Sequence, residues 1–199
     1  MKSNLIGIIL LAAGASSRLG KAKQLLEFNG QTLLRRSAET GLRISDNVVV
    51  ALGARSEILR QEIEDLPVKI AENKDWKAGM GGSVKIGLAK LIEANSNLEG
   101  VIIMVCDQPF VNTDLLEKLV AKYETTNAPV VACEYEDTLG VPAFFSAKLF
   151  PELIALEPSH GAKYLIKKYR AKTGSVFFPE GAFDIDTPDD YERLINKIG

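Results

Sequence analysis

The sequence predicts an α/β fold in which a mostly parallel, Rossmann-like sheet lies between two layers of helices, with an antiparallel edge. Two observations carry this prediction. Nearly continuous apolar runs at 5–11 and 100–106 are typical of strands buried on both faces of a parallel sheet. Amphipathic helical patterns separate the apolar runs, and this alternation favours a three-layer α/β/α arrangement.

The predicted elements alternate regularly over the first two thirds of the chain. Strands are expected at 5–11, 47–52, 68–71, 100–106 and 129–133. Helices are expected at 32–42, 57–65, 83–94 and 113–123. Ser56 is expected to cap the second helix, and Pro67 to end it.

The pattern changes beyond residue 139. Short β segments at 141–145, 175–178 and 183–186 mix with helices near 147–156, 161–169 and 188–198. Part of this section is expected to form the antiparallel edge or a lid. Because no repeat, low-complexity linker or boundary interrupts the sequence, residues 1–199 are expected to form a single domain.

Composition argues against several classes of function. The formal net charge is −2 and no block of like charge occurs, so neither nucleic acid nor a membrane surface is an expected partner. No apolar stretch is long enough to cross a bilayer or to act as a signal peptide. Cys106 and Cys133 lie in apolar runs without metal-binding spacing, which indicates buried, reduced thiols and a cytoplasmic protein.

The loop after the first strand has the composition of a phosphate-binding loop. Small residues from Ala12 to Gly14 allow the backbone to direct several N–H groups at one anion. Arg18, Lys21 and Lys23 then supply positive charge. An ordinary strand-to-helix turn with solvated cations is the alternative interpretation.

This loop matches neither of the commonest phosphate-binding motifs. Gly14 and Gly20 are separated by five residues and Ala22 follows Lys21, whereas a Walker A loop requires four residues and a Ser or Thr after the lysine. Only Gly14 lies in the turn, so the Gly-x-Gly-x-x-Gly dinucleotide fingerprint is absent as well.

Two acidic positions are candidate ligands of a divalent cation. Asp107 directly follows the apolar strand 100–106, at the sheet edge where α/β proteins bind ligands. Capping of the following turn is the alternative role for Asp107. In a strand at 183–186, Asp184 and Asp186 would share one face, and Asp186 is the preferred second ligand. Thr187 is expected to cap the helix that follows.

Two further features allow both a functional and a structural interpretation. The glycine-rich loop 73–83 could approach a base or a sugar, or it could be a flexible turn whose Trp76 covers the core. His160 is the only histidine, and no Gly-x-Ser-x-Gly elbow accompanies it. His160 is therefore expected at a loop or helix start, in contact with substrate rather than acting as the catalytic base.

Taken together, these segments resemble the MobA-like nucleotidyltransferases, and among them most closely the molybdenum cofactor cytidylyltransferases. The resemblance rests on seven segments in the family's order. They are Leu11-Ala-Ala-Gly-Ala-Ser-Ser-Arg-Leu-Gly, Lys23-Gln-Leu-Leu, Asn73-x-x-Trp-x-x-Gly-Met-x-x-Ser83, Asp107-Gln-Pro, Gly140-Val-Pro-Ala-Phe, Gly161-Ala-Lys and Asp184-Ile-Asp-Thr-Pro-Asp-Asp. One departure is Val141, where the family often has histidine between glycine and proline.

The resemblance implies the fold of the nucleotide-diphospho-sugar transferases and a Mg²⁺-dependent reaction. CMP would pass from CTP to the phosphate of a molybdopterin-type acceptor, and pyrophosphate would be released. The implied catalytic residues are Arg18, Lys23 and Asp107, and the implied metal ligands are Asp107 and Asp186. The implied nucleotide-binding residues are Leu11, Ala12, Ala13, Gly14, Arg18, Lys23, Gly53, Asn73, Gly79 and Ser83. The implied acceptor-binding residues are Met80, Gly140, Pro142, His160 and Gly161.

Three other functions remain open from the sequence. The same family includes guanylyltransferases that use GTP and are similar at the N-terminal loop. The fold could also support an NAD(P)H-dependent reductase-like protein, or a cofactor-delivery protein without catalytic activity. A molybdoenzyme or its chaperone is a further partner that the resemblance implies.

Overall fold

A computed structural model describes residues 4–16 and 19–196 of the chain. Its strands are Ile6–Ala12 (β1), Glu27–Phe28 (β2), Gln31–Thr32 (β3), Asn47–Leu52 (β4), Lys69–Glu72 (β5), Gly100–Val105 (β6), Val130–Tyr135 (β7), Thr138–Ser146 (β8) and Thr173–Phe177 (β9). Its α-helices are Leu33–Ile44 (α1), Ser56–Glu62 (α2), Met80–Ala94 (α3), Thr113–Thr126 (α4), Phe150–Ile154 (α5), Ala162–Lys168 (α6) and Pro188–Asn196 (α7).

Seven of these strands form one sheet in the order β5-β4-β1-β6-β8-β7-β9. β5, β4, β1 and β6 are mutually parallel, and β7 pairs in parallel with β9. β8 is antiparallel to both of its neighbours, β6 and β7. The prediction of a mostly parallel sheet that also contains antiparallel pairing is confirmed, but the antiparallel strand β8 lies inside the sheet and not, as predicted, at its edge. β2 and β3 form a separate small hairpin.

Helices cover both faces of the sheet, and each face has its own apolar core. Along β1, Ile8 belongs to the core shared with α1, α2 and α4, whereas Ile9 belongs to the core shared with α3, α5 and α6. Both side chains are fully buried. The apolar run at 5–11 is therefore a strand covered on both sides, which explains why it shows no polar alternation.

A third, smaller apolar cluster joins the loop after β1 to the C-terminal segment. It consists of Leu19, Leu26, Phe28, Leu33, Ile185 and Leu194. Phe110 links this cluster to the loop after β6, because its ring makes edge contacts with Phe28 and Phe183 at centroid distances of 5.9 and 5.6 Å. This cluster, called the third cluster below, brings distant parts of the chain to one end of the sheet.

The prediction of a strand at 183–186 is wrong. The segment is irregular, with the N–H of Ile185 donating to the carbonyl of Asp107 at 3.1 Å. Its alternating pattern arises because Ile185 is buried in the third cluster while Asp184 and Asp186 on either side stay exposed. A single anchored side chain thus produces the same polarity pattern as a strand.

Two predicted helix starts are also wrong. Ser56 is the first residue of α2, and Arg55 precedes it in the left-handed conformation at φ 59°. The Ser56 hydroxyl donates instead to Glu72 at 3.1 Å. α3 begins at Met80 rather than at Ser83; Gly79 precedes it as the N-cap, and the N–H of Gly81 in its first turn donates to the carbonyl of Pro158 at 3.0 Å.

The predicted cap of the last helix is confirmed. Thr187 Oγ1 accepts a hydrogen bond from the N–H of Asp190 at 3.2 Å, and the Asp190 carboxylate accepts from the N–H of Thr187 at 2.8 Å. This reciprocal pair satisfies backbone donors at the start of α7. Across 4–16 and 19–196, no helix is both long and apolar enough to cross a membrane.

We expect Leu88→Ala in α3 to lower the free energy of unfolding by about 2–5 kcal/mol, because Leu88 is fully buried and its truncation leaves a cavity. Ile58→Ala in α2 is the control, since Ile58 is 54% exposed and should change stability by about 0.5 kcal/mol or less. Urea unfolding followed by circular dichroism measures both. Equal effects of the two substitutions would contradict the core described above.

Candidate active site

Three segments meet at the carboxyl ends of β1 and β6, and a lysine bonded to two aspartates joins them. The ammonium group of Lys23 donates to Asp107 Oδ2 at 2.5 Å and to Asp186 Oδ1 at 2.9 Å. Lys23 follows the loop after β1, Asp107 follows β6, and Asp186 precedes α7. The structure therefore brings together three residues that the sequence singled out.

The backbone around each of these residues is held by local hydrogen bonds. The N–H of Lys23 donates to Ser16 Oγ at 3.0 Å. The N–H of Asp186 donates to the Asp190 carboxylate at 3.2 Å. The Ile185 to Asp107 bond described above ties the third segment to the second. Each charged group thus extends from an anchored stretch of chain.

The charges at this junction are closely coupled. Burial by itself would lower the pKa of Lys23, but the carboxylates of Asp107 and Asp186 outweigh that effect and raise it above its usual range. Lys23 is therefore protonated at neutral pH. Its side chain is 15% exposed, so its charge is only partly screened by solvent.

The two aspartates fit a divalent cation. Asp107 Oδ1 is buried and has no hydrogen-bond partner among the residues described, so a second oxygen of this carboxylate is available as a ligand. The ammonium group between the carboxylates shows that this position favours positive charge. Within 4–16 and 19–196, no cluster of three or more metal-binding side chains occurs. Mg²⁺ is usually bound by one or two carboxylates, and phosphate and water oxygens complete its coordination.

The loop after β1 is braced from beneath by a residue that the sequence interpretation missed. Gln24 is almost fully buried, and its Nε2 donates to the carbonyls of Ala12 at 2.9 Å and Gly14 at 2.8 Å. A Cβ atom added at Gly14 would meet nothing within 4 Å, so the loop faces open space there. The sequence did contain one indication of this role, because Gln24 directly follows the candidate catalytic residue Lys23 in the Lys23-Gln-Leu-Leu segment.

The residues predicted to bind the nucleotide come from several segments. Leu11 and Ala12 end β1, and Ala13 begins the loop after it. Arg18 lies outside the described residues. Gly53 packs against the same loop, because a Cβ there would lie 2.8 Å from the Ala13 carbonyl oxygen.

The segment 73–83 is held together internally. The buried side chains of Asn73 and Ser83 bond to each other, with Asn73 Nδ2 donating to Ser83 Oγ at 3.0 Å. Gly79 and Gly81 of this segment allow close packing against the loop 157–160. A Cβ at Gly79 would lie 2.2 Å from the carbonyl oxygen of Pro158, and Gly79 has φ +128°. These contacts explain the glycines without a ligand.

A cavity of about 250 Å³ opens beside Asp107. Met80 and Gly140, two of the five residues predicted to bind the acceptor, line it together with Leu11 from the predicted nucleotide set. The complete lining is Leu11, Met80, Val105, Asp107, Gln108, Tyr135, Gly140, Val141, Ala162, Lys163 and Asp184.

The other three residues predicted to bind the acceptor do not line this cavity. Pro142 is buried within β8, and Gly161 lies behind Met80. His160 stacks on Tyr164 at a centroid distance of 4.4 Å and borders a different surface depression. His160 lies two residues before α6, which begins at the buried Ala162 after the N-cap Gly161.

The structure also separates the two acidic residues of the 183–186 segment. Asp186 bonds to Lys23, whereas Asp184 lines the cavity. Burial of its carboxylate and the nearby Asp107 raise the pKa of Asp184 to about 6, although much of the residue stays exposed. Gln108 is the second residue that the sequence interpretation missed; it is almost fully buried and donates to the Gly181 carbonyl at 3.0 Å.

The two cysteines are not part of this charge arrangement, although Cys106 directly precedes Asp107. Both are free and buried, as expected from the sequence. Burial raises the pKa of each thiol to about 12. Neither is therefore a nucleophile at neutral pH.

An open backbone loop, a carboxylate pair bridged by a cation and an adjoining cavity lie together at the carboxyl edge of the sheet, where α/β proteins bind their ligands. Comparison with known proteins identifies the family. Residues 8–173 match the MobA-like NTP transferase domain, and the chain belongs to that family. Its members are nucleotidyltransferases, which generally use Mg²⁺.

Several curated relatives are similar over much of the chain. Purine catabolism protein PucB of Bacillus subtilis is 30% identical, over 96% of this chain and 95% of that protein. Nicotine blue oxidoreductase of Paenarthrobacter nicotinovorans is 34% identical over 58% of this chain and 55% of that protein. Molybdenum cofactor cytidylyltransferase of Escherichia coli is 23% identical, over 94% and 93% respectively. Others carry the name molybdenum cofactor guanylyltransferase.

Among solved structures, Rv0371c of Mycobacterium tuberculosis in complex with manganese is similar to this chain. It superimposes with a TM-score of 0.76 at 26% identity and covers 96% of this chain and 98% of that protein. The three-layer architecture is thus that of the family.

We expect Gln24→Glu to lower the free energy of unfolding by about 2–4 kcal/mol, because it removes the donors to two carbonyls and buries a carboxylate against them. Gln61→Glu makes the same chemical change at an exposed position and is the control. Thermal and urea unfolding measure both. A Gln24→Glu protein as stable as the control would show that Gln24 does not brace the loop.

Lys23→Met is expected to lower the melting temperature in metal-free buffer, because it leaves Asp107 and Asp186 without their counter-charge, at a cost of about 2 kcal/mol. Mg²⁺ or Mn²⁺ should restore part of the loss. Differential scanning calorimetry with and without the metal measures this, with Lys74→Met, at an exposed position, as control. The prediction fails if the metal stabilises Lys23→Met no more than the control.

Proposed function

We propose that this protein transfers CMP from CTP to the phosphate of a molybdopterin-type acceptor and releases pyrophosphate. The observation that carries the proposal is the Lys23 ammonium group bonded to Asp107 and Asp186, between an open backbone loop and a cavity. An acceptor phosphate oxygen attacks the α-phosphorus of CTP, and the bond from that phosphorus to the bridging oxygen of pyrophosphate breaks.

The loop after β1 provides the triphosphate side of the proposed site. Gln24 holds the carbonyls of Ala12 and Gly14 inward, which leaves the other side of the loop free to face phosphate oxygens. Gly14 permits close approach because no side chain occupies that space. Lys23, protonated at neutral pH, supplies charge that stabilises the departing pyrophosphate.

Asp107 and Asp186 are the residues that would hold Mg²⁺. When bound, the ion polarises phosphate oxygens and offsets the charge that develops during transfer. The unpartnered Asp107 Oδ1 supports this assignment, as does the ammonium group that now lies between the carboxylates. The manganese complex of Rv0371c, a similar structure, is consistent with a divalent ion here.

The proposed reaction needs no strong general base. A phosphate nucleophile is already anionic at neutral pH, so alignment and charge neutralisation supply most of the catalysis. This agrees with the position of His160, which stacks on Tyr164 outside the cavity. The cavity beside Asp107 would position the acceptor.

The choice of CTP rests on the resemblance of Asp107-Gln-Pro and the Asp184 to Asp190 segment to the cytidylyltransferase branch. Relatives named for both nucleotides occur at low identity. Calorimetric titration of CTP and GTP in the presence of Mg²⁺ distinguishes them. Tighter binding of CTP supports the proposal, whereas preference for GTP would assign the protein to the guanylyltransferase branch.

Release of pyrophosphate is the direct test of the proposed activity. The protein is incubated with each nucleoside triphosphate, Mg²⁺ and molybdopterin, and pyrophosphate is measured with a coupled assay. Failure with all four triphosphates would overturn the proposal. One relative is named an oxidoreductase, and that alternative is tested by assaying the oxidation of NADH and NADPH in parallel. Binding of CTP without release of pyrophosphate would instead favour a cofactor-delivery protein.

Asp107→Asn should reduce turnover at least about 100-fold, because it removes one of two carboxylates that neutralise the reacting phosphates. Its melting temperature should stay close to that of the wild type. Glu117→Gln, an exposed carboxylate on α4, is the matched control and should retain full activity. A large loss of stability without loss of specific activity would instead make Asp107 a structural cap.

A further inference from the structure

The cavity beside Asp107 is lined by more acidic than basic side chains. Two of its residues, Asp107 and Asp184, are acidic, and Lys163 is its one cation among the residues described. The remaining lining residues carry no formal charge. An anion that enters this cavity therefore meets two carboxylates and a single compensating ammonium group.

Lys23 does not serve this role, because it lies outside the lining of the cavity. Its ammonium group is already bonded to Asp107 and Asp186, and it does not line the cavity. In the proposed reaction, Lys23 and the metal act on the triphosphate. A second cation is needed for the acceptor's own charge, because two anions must approach each other for the reaction to occur.

Lys163 is placed to provide that charge. It lies in the first turn of α6, next to Ala162, whose side chain is buried in the core. Leu165 and Ile166 anchor the same helix, so the backbone of Lys163 is well fixed. Its side chain is exposed, and no hydrogen bond or ion pair engages it within the described part of the chain.

We propose that Lys163 binds the phosphate of the acceptor and thereby selects phosphorylated acceptors over their dephosphorylated forms. This inference rests on the proposed nucleotidyl transfer and assigns a residue to its acceptor half. Lys163 contacts the acceptor phosphate, offsets the repulsion from Asp107 and Asp184, and holds the attacking group beside the nucleotide.

The experiment compares Lys163→Met, Lys163→Arg and Lys167→Met in the full-length protein. Lys167 is an exposed lysine one turn further along α6 that does not line the cavity, so it controls for net charge. The dissociation constant of molybdopterin is measured by calorimetry, and the KM values for molybdopterin and for the nucleotide are measured by pyrophosphate release.

We expect Lys163→Met to weaken molybdopterin binding and to raise its KM about tenfold or more, because a charge-assisted phosphate contact is lost. The nucleotide KM should stay unchanged, Lys163→Arg should restore most of the affinity, and Lys167→Met should resemble the wild type. Dephosphorylated molybdopterin, tested as a competitive inhibitor, should bind the wild type and Lys163→Met equally.

The inference is overturned if Lys163→Met binds molybdopterin within twofold of the wild type, or if Lys167→Met weakens binding equally. It is also overturned if the wild type does not bind molybdopterin. Failure of the proposed function gives a different result, namely a wild-type protein that binds molybdopterin but releases no pyrophosphate. The calorimetric comparison then still tests Lys163 by itself.

Discussion

The site depends on the ammonium group of Lys23 lying between the carboxylates of Asp107 and Asp186. These residues are separated from Lys23 by 84 and 163 positions along the chain, so the contact closes the fold at one end of the sheet. Two carboxylates that contact the same ammonium group would repel each other if that cation were removed. The same feature that stabilises the closed chain thus marks where a cation is favoured.

Apolar packing provides the geometry that this charge arrangement requires. The third cluster joins the loop after β1 to the C-terminal segment through Ile185, and Phe110 extends the contact to the loop after β6. Gln24 adds two buried hydrogen bonds beneath the loop. Because these supports lie behind the charged groups, the side of the loop facing solvent stays open for a ligand.

The structure also assigns different surroundings to side chains that are equivalent in the sequence. Asp184 and Asp186 are two positions apart, yet only Asp186 bonds to Lys23 and only Asp184 lines the cavity. Gly79 is predicted from the sequence to contact the nucleotide, and the structure shows that Gly79 and Gly81 permit close packing against the loop 157–160. A glycine in such a loop can therefore be required for packing as well as for contact with a ligand.

The sequence by itself determined the mostly parallel α/β sheet, the buried strand β1 and the Thr187 cap, and it singled out Lys23, Asp107 and Asp186 as candidate site residues. These features depend on local periodicity or on motifs, both of which are readable along the chain. Only the tertiary structure decided that 183–186 is not a strand, that Gln24 braces the loop, that His160 lies outside the cavity and that Lys163 lines it. Each of these depends on contacts between segments distant in sequence, and local patterns do not encode which segments meet.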